Sequence, residues 1–295
     1  MTNKINTLYI IGNGFDRYHN LETEYYHFAR YFKRYYRRLF DKTFYYYPSL
    51  LDIKNIVWSD FENQLAEVDY DQLLEDNLAY INSPSNPEFR DSDWHNFAYE
   101  IGITIDELKA SLVKLFKKWV DLISIEKGLK SKFKHLSENY YISFNYTKTL
   151  QTLYNVPPTS IWHIHGESKS NKPLVFGHNK EYWYEQNEDS DMAYIFGQQQ
   201  IERFFSETKK NTDTIILTNT DEFEKLKDVN VVYVLGHSLN EIDLPYFEKI
   251  AKSISKNAIW NVSNKNDRDI YKHRKVCSAL NIQYKPIKIS EIFEL

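Results

Sequence analysis

Short, continuously apolar segments recur along the chain and alternate with longer segments whose apolar residues repeat at helical spacing. The short segments predict buried strands, because a strand that is covered on both faces needs apolar side chains on both sides. Together with the helices between them, they predict an α/β fold: a Rossmann-like, mostly parallel sheet covered by helices on both faces. The predicted strands are Thr7–Gly12, Tyr140–Phe144, Ile161–Ile164, Leu174–Phe176, Val231–Leu235 and Ala258–Val262.

Apolar residues at helical spacing predict seven further segments, and Tyr80–Asp93, which contains two prolines, predicts a loop. Three of the helices lie between the first and second strands. Residues 23–134 are therefore predicted to form a helical insertion, and residues 1–22 with 135–295 the sheet domain. The predicted helices are Glu24–Leu39, Trp58–Val68, Trp94–Ser124, Thr147–Tyr154, Asp191–Phe205, Leu244–Ser255 and Asp267–Ala279.

The overall charge argues against polyanionic partners. The 295 residues include 37 Lys+Arg and 41 Asp+Glu, for a formal net charge of −4. This balance creates no general attraction to nucleic acid or anionic lipid, so neither nucleic acid nor a membrane is an expected partner. The basic cluster Lys33–Arg38 and the aromatic residues around it are interpreted as core plus a solvated face of the insertion, with an RNA site as the less favoured alternative.

A cytoplasmic location is expected. No apolar run approaches the ~20 residues that a membrane-spanning helix needs. The apolar run near the N-terminus ends in Gly12-Asn13-Gly14 rather than in a small-residue cleavage site, which argues against a signal peptide. Cys277 is the single cysteine, so an internal disulfide and a zinc site of several thiolates are both excluded.

A glycine-rich loop follows the first predicted strand. Paired glycines allow a sharp turn and a close approach to a ligand, and free amides there can face a phosphate; an ordinary glycine turn is the alternative. Arg17 stands where the dehydrogenase fingerprint has its third glycine, which disfavours a hydride-transfer enzyme. The candidate binding residues of this loop are Gly12, Asn13, Gly14, Phe15 and Asp16.

Asn145 follows the second predicted strand directly. One interpretation is that it caps the next helix. The other is that its amide orients a sugar hydroxyl or a water molecule.

Two histidines, His163 and His165, follow the next strand in the segment His163-Ile164-His165-Gly166. Residues i and i+2 of a strand point to one side, so both imidazoles can be placed on one metal ion with Asp16 or Asp243 as carboxylate ligand. This spacing keeps a metal-dependent nuclease or phosphohydrolase open as an alternative function.

Two later loops complete a set of small polar segments at strand ends. Their glycine amides suit phosphates and their Asn and Asp side chains suit a ribose, so the combined set indicates a nucleotide site outside the carboxyl ends of the strands. Asp243 has the alternative role of capping the next helix. The candidate residues are Gly236, His237, Ser238, Asp243 and Asn261.

The sequence resembles the bacteriophage abortive infection AbiH family. The resemblance spans nearly the whole chain and implies a role in antiphage defence. The motifs that carry it are Ile10–Asp16 (IIGNGFD), Trp58–Glu62 (WSDFE), Phe144–Thr147 (FNYT), His163–Gly166 (HIHG) and Gly236–Asp243 (GHSLNEID).

The same motifs are more distantly similar to the sirtuin, or SIR2-like, NAD-binding domain. This similarity implies that His165 is a general base and that Asn145 orients a ribose hydroxyl or water. It also implies NAD as the substrate, with the glycine-rich loop, the Gly236–Ser238 segment and Asn261 against the cofactor. Asp16 stands where sirtuins usually have serine, and one cysteine cannot build the zinc ribbon of the deacylases. NAD hydrolysis at the nicotinamide–ribose bond is therefore the activity implied.

The family resemblance also implies partners. An enzyme that depletes NAD must be restrained until infection, which implies a phage-derived activator. Family analogy and the many aromatic residues predict a homo-oligomer, with the helical insertion as the segment for control or assembly. A nucleotide-binding sensor without catalysis remains an alternative to the enzyme.

Overall fold

Six strands form one parallel sheet in the computed structural model, which describes residues 4–128, 139–184 and 191–292. The sheet order is β3-β2-β1-β4-β5-β6, and every neighbouring pair is parallel. The prediction of an α/β, Rossmann-like fold is thereby confirmed. The strands are β1 (Thr7–Ile11), β2 (Asn139–Ser143), β3 (Ile161–His163), β4 (Val231–Leu235), β5 (Ile259–Ser263) and β6 (Gln283–Ile287).

Thirteen α-helices are found in the described residues. Short 3₁₀ turns lie between them at Ile56–Asp60, Leu78–Tyr80, Asp91–His95, Ile125–Lys127, Pro158–Ser160, Glu241–Asp243 and Ile289–Ile292. The α-helices are α1 (Asn13–Tyr18), α2 (Tyr25–Tyr35), α3 (Arg37–Phe44), α4 (Pro48–Leu51), α5 (Phe61–Gln64), α6 (Tyr70–Glu75), α7 (Asn96–Leu122), α8 (Thr149–Tyr154), α9 (Met192–Thr208), α10 (Thr212–Thr218), α11 (Thr220–Glu224), α12 (Leu244–Ser253) and α13 (Asp267–Ala279).

Two apolar cores cover the two faces of the sheet. Alternate residues of a strand point to opposite faces, so Leu8 and Ile10 of β1 enter one core while Ile11 enters the other. The first core is completed by side chains of α11, α12 and α13, and the second by side chains of α1 and α8. This covering on both faces explains why the strands are continuously apolar.

The strands are in register, so their carboxyl ends lie along one edge. Ile11 is paired with Ser143 on one side and with Leu235 on the other, and Ser143 is paired with His163. The segments that follow β1, β2, β3 and β4 therefore all leave the sheet at the same edge. Within the described residues, no helix has the length and apolar character needed to cross a membrane.

The structure corrects the predicted strand at Leu174–Phe176, which is irregular. Gly166, at φ +83°, turns the chain directly after β3. The following segment folds back, and the Val175 amide donates to the His165 carbonyl at 2.9 Å instead of entering the sheet. The edge strand β6 was not predicted, because its sequence QYKPI contains a proline and is largely exposed.

The described residues divide into two compact units. The first consists of residues 1–24, 120–175 and 211–295, within which the sheet lies, and the second of residues 25–119 and 176–210. The predicted insertion ended at residue 134, which lies outside the described residues. Residues 176–210, which the prediction assigned to the sheet domain, belong to the helical second unit in this division.

The WSDFE motif builds the interior of the second unit. Trp58 and Phe61 stack with their ring centroids 5.2 Å apart, and both are buried. Glu62 accepts hydrogen bonds from the Tyr25 hydroxyl at 2.5 Å and from Lys210 Nζ at 3.0 Å. Since the Lys210 side chain is almost fully buried, this ion pair needs the hydrogen bonds that surround it.

Candidate functional site

The strand order places a crevice between the carboxyl ends of β1 and β4. The chain runs from β1 outward to β2 and β3, and then returns to the other side of β1 for β4, β5 and β6. Ligands of open α/β sheets bind at such a topological switch point. The two loops that flank it are Gly12–Asp16 and Gly236–Asp243.

Three glycines bring these two loops into backbone contact. The Gly12 amide donates to the Leu235 carbonyl at 2.9 Å, and the Gly14 amide donates to the Gly236 carbonyl at 2.7 Å. A Cβ atom on Gly12 would lie 2.5 Å from His237 Cα, and one on Gly14 would lie 2.7 Å from Gly236 Cα. The two amides predicted to face a phosphate are thus engaged within the protein, and the glycines serve the close packing of the loops.

Asp16 is a buried carboxyl group beneath these loops. It accepts hydrogen bonds from Thr147 Oγ1 at 2.5 Å and from Thr149 Oγ1 at 2.7 Å. Burial raises the pKa of Asp16 to about 6, and the hydrogen bonds from Thr147, Thr149 and Asn145 lower this pKa only in part. Asp16 is therefore partly protonated close to neutral pH.

Asp16 is expected to make the protein less stable as the pH rises. An unfolded Asp titrates near pH 3.9 and the folded one near 6, so the folded state binds more protons between these values. The contribution of Asp16 to the free energy of unfolding is complete below about pH 4. It falls by about 3 kcal/mol between about pH 4 and pH 6, and it is absent at higher pH. Urea unfolding at pH 4, 5, 6 and 7.5 should show this fall in the difference between the native protein and Asp16→Asn. Parallel pH curves for the two proteins would contradict the assignment.

Asn145 connects the second strand end to the first. Its Nδ2 donates to the Gly12 carbonyl at 3.0 Å, and its backbone carbonyl lies 3.0 Å from His163 Nδ1. The capping interpretation is wrong, because α8 begins at Thr149 and its N-cap residue is Lys148. Asn145 instead holds the glycine-rich loop in place from the neighbouring strand.

His163 and His165 have separate surroundings, although only Ile164 lies between them in the sequence. His163 Nδ1 contacts the Asn145 carbonyl, and its Nε2 lies 2.8 Å from Gln151 Nε2. His165 Nε2 lies 3.7 Å from Asp243 Oδ1. Among residues 4–128, 139–184 and 191–292, no group of three or more His, Cys, Asp or Glu side chains is arranged to hold a metal ion. The alternative in which both histidines bind one metal ion is not what the structure forms.

At the edge formed by the carboxyl ends of the strands, the Asp243 carboxylate lies between two imidazoles. Asp243 Oδ1 faces His165 Nε2, and Asp243 Oδ2 lies 3.3 Å from His237 Nε2. The Leu239 amide donates to His237 Nδ1 at 3.0 Å, so the proton of a neutral His237 is on Nε2, towards Asp243. We call His165, His237 and Asp243 the His–Asp–His cluster.

Backbone strain holds one side of this cluster. Leu239 has a φ of +49°, a left-handed conformation that costs about 1–2 kcal/mol for a residue with a side chain. Its side chain is buried in the core, and its amide is the group that bonds His237. Strain of this kind is typical of positions where a side chain must be oriented.

Aromatic rings form the wall behind the cluster. The Phe144 ring is perpendicular to the His165 ring, with centroids 5.2 Å apart, and lies 4.5 Å from the His237 ring. Tyr246 and Phe247 of α12 contact His165 and His237 respectively, at 5.5 and 4.9 Å. An apolar wall of this kind excludes water and strengthens the charge interactions of the cluster.

One family model matches most of the chain. The model of the bacteriophage abortive infection AbiH family matches residues 8–264. The chain belongs to the AbiH family. Membership supports a role in antiphage abortive infection, and the resemblance to the AbiH family is confirmed. The comparisons with curated proteins and with solved structures each gave no match.

Some predicted residues of this AbiH-family chain lie away from the cluster. The Phe15 ring is in the second core, against His19 and Tyr154. Asn13 is on the surface, where its Oδ1 accepts from Thr23 Oγ1 at 2.5 Å. Ser238 is exposed.

The predicted end of the strand Ala258–Val262 needs a correction. Asn261 is paired with Tyr233 within the sheet, and its Nδ2 donates to the Val232 carbonyl at 3.3 Å. The strand continues to Ser263, whose Oγ accepts from the Gly236 amide at 2.7 Å. Ser263 is therefore the β5 residue that contacts the site. The strand register identifies it: Val234 is paired with Val262, so Ser263 lies beside Leu235, directly before Gly236.

The candidate site is closed in this structure. The side chains of His165 and His237 are 3% and 5% exposed, and that of Asp243 is 15% exposed. A crevice bordered by Asp16 and Asn145 lies at the same edge and is too narrow to hold a water molecule. A ligand could therefore reach the cluster only if the surrounding segments moved apart.

Proposed function

We propose that this AbiH-family protein acts in abortive infection by cleaving the nicotinamide–ribose bond of NAD. The observation that carries the proposal is the His–Asp–His cluster at the switch point of a Rossmann-like sheet. That location is where this class of sheet binds nucleotides. The cluster supplies an imidazole next to a carboxylate, which is the pairing that general bases use.

The chemistry of the bond suits these residues. A water oxygen forms the new bond to the ribose C1′, and the electrons of the broken bond pass to the nicotinamide nitrogen. Nicotinamide is cationic before it departs and neutral afterwards, so no strong acid is required. His165 takes the proton of the attacking water or of a ribose hydroxyl, and the Asp243 carboxylate stabilises the imidazolium that forms.

Asn145, which follows β2, and Asp16, which lies in α1 after β1, would support this chemistry. Asn145 Nδ2 donates to the Gly12 carbonyl. In this proposal the side-chain oxygen Oδ1 of Asn145 accepts from a ribose hydroxyl or from the attacking water. Asp16 accepts hydrogen bonds from Thr147 and Thr149, which lie in the segment between β2 and α8 and at the start of α8. Both residues thus keep the loops after β1 and β2 in fixed positions around the bound sugar.

Incubation of the purified protein with NAD, followed by chromatography for nicotinamide, tests the proposal. Since a phage-derived activator and a homo-oligomer belong to the proposal, the reaction is run alone and with lysate of infected cells, at several protein concentrations. Release of nicotinamide that occurs only when the protein is present supports the enzymatic function. A thermal shift with NAD but no product supports the sensor, and neither a shift nor product overturns a NAD function.

A further inference from the structure

Two basic segments of the helical unit meet at Tyr36. Residues 26–40 contain five Lys or Arg and no acidic residue, and residues 113–120 of α7 contain three Lys and no acidic residue. Lys118 Nζ donates to the Tyr36 hydroxyl at 2.6 Å and lies 5.3 Å from the centroid of its ring. We call the resulting patch the basic tyrosine surface; its members are Arg30, Arg34, Arg38, Lys114, Lys118 and Tyr35.

The positive charge of this surface is not neutralised by neighbouring carboxylates. Within the described part of the chain, no ion pair involves Arg30, Arg34, Arg38, Lys114 or Lys118, whereas Arg37 of the same segment pairs with Asp41 at 3.0 Å. Without the eight basic residues of the two segments, the remaining chain has 29 basic against 41 acidic residues, a balance of −12. Other cations of the same unit are paired with acids: Lys42 with Glu107, Lys109 with Glu207 and Arg203 with Asp106.

The pKa of the Tyr36 phenol is lowered by the positive charges around it. The hydrogen bond from Lys118 lowers the pKa of Tyr36, with smaller contributions from Tyr31 and from the charge of Lys114. Lys114 and Lys118 of α7 therefore both interact with Tyr36, the residue between α2 and α3. The two basic segments form one surface and not two separate solvated faces.

An exposed aromatic ring lies within this surface. Tyr35 is 62% exposed, and its ring lies 5.4 Å from the Arg34 guanidinium carbon and 5.3 Å from the Tyr31 ring. An exposed ring of this kind, next to the guanidinium of Arg34, offers a platform on which a base can stack beside cations that hold phosphates.

We propose that the basic tyrosine surface binds single-stranded nucleic acid. Its cations hold the phosphates and Tyr35 stacks on an unpaired base, which a duplex keeps inside its own stack. The net charge of the whole chain hides this surface, because the acidic residues that offset it are elsewhere. The proposal goes beyond NAD cleavage, and its test requires neither NAD nor turnover.

Fluorescence anisotropy with 12-nucleotide oligouridylate and oligodeoxythymidylate tests the proposal on the full chain. Three to five phosphate contacts predict that affinity falls roughly 10- to 100-fold between 50 and 200 mM salt. The triple variant Arg34→Glu, Arg38→Glu, Lys114→Glu should bind roughly 100-fold more weakly or worse. Tyr35→Ala should weaken binding roughly 5- to 100-fold while leaving the salt dependence unchanged.

A matched charge reversal away from the surface is the control. Lys227→Glu, Lys256→Glu, Lys275→Glu changes the net charge equally at exposed positions of the other unit and should alter affinity less than about 3-fold. Equal losses in both triple variants would overturn the proposal. So would tighter binding to heparin or to anionic phosphatidylserine vesicles that Tyr35→Ala leaves unchanged. Should the first triple variant lose its circular dichroism signal, Arg34→Gln with Arg38→Gln takes its place in the same comparison.

Discussion

His165→Ala is expected to reduce nicotinamide release by roughly 10²–10⁴-fold, the range in which a positioned general base contributes. His165 Nε2 lies 3.7 Å from Asp243 Oδ1, and of the two histidines of the cluster it is the one in the segment that follows β3. Removal of the ring leaves the apolar wall of Phe144 and Tyr246 in place, so the fold should remain. The measurement is initial rate by chromatography, together with the thermal midpoint of the same preparation.

The pattern across variants distinguishes catalysis from folding. His178→Ala is the matched control, because this buried histidine of the other unit bonds Lys180 and Thr208 and should lose stability without losing turnover. Asp243→Asn should reduce turnover less than His165→Ala, since it removes only the acceptor that stabilises the imidazolium. Full turnover by a folded His165→Ala protein would remove His165 from the mechanism.

Gly236→Ala is expected to prevent the first unit from folding stably. Gly236 has a φ of +69°, and a Cβ atom there would lie 2.2 Å from the Phe15 nitrogen and 2.4 Å from the Gly14 carbonyl carbon. Both contacts are with backbone, which cannot move without separating the loops after β1 and β4. We expect a loss of more than about 4 kcal/mol, which is a large part of the 5–15 kcal/mol of a typical domain.

Circular dichroism and the thermal midpoint measure this loss. Gly102→Ala is the control, because Gly102 lies inside α7 and its added Cβ would meet the flexible end of Gln200 at 3.3 Å. Alanine is the better helix former, so this variant should gain up to about 1 kcal/mol. A Gly236→Ala protein that melts with the native protein would show that the two loops do not pack as described.

Much of the fold could be predicted because its strands are short and apolar on both faces. Five of the six strands were predicted within two residues, and the helix Asp267–Ala279 was predicted with its observed bounds. The failures have local causes. Leu174–Phe176 has a strand composition, but the turn at Gly166 directs it back over His165, and β6 is an exposed edge strand with little apolar character.

The sequence by itself determined the alternation of strands and helices, the polar segments at the strand ends and the motifs of the AbiH family. Only the tertiary structure decided the partners of those polar groups. Asp243 is 78 residues from His165, and the parallel register brings them together, whereas His163, two positions before His165, is directed to Gln151. The physical reason is that composition and spacing determine which segments form strands, while a side-chain contact depends on how distant strands pack against one another.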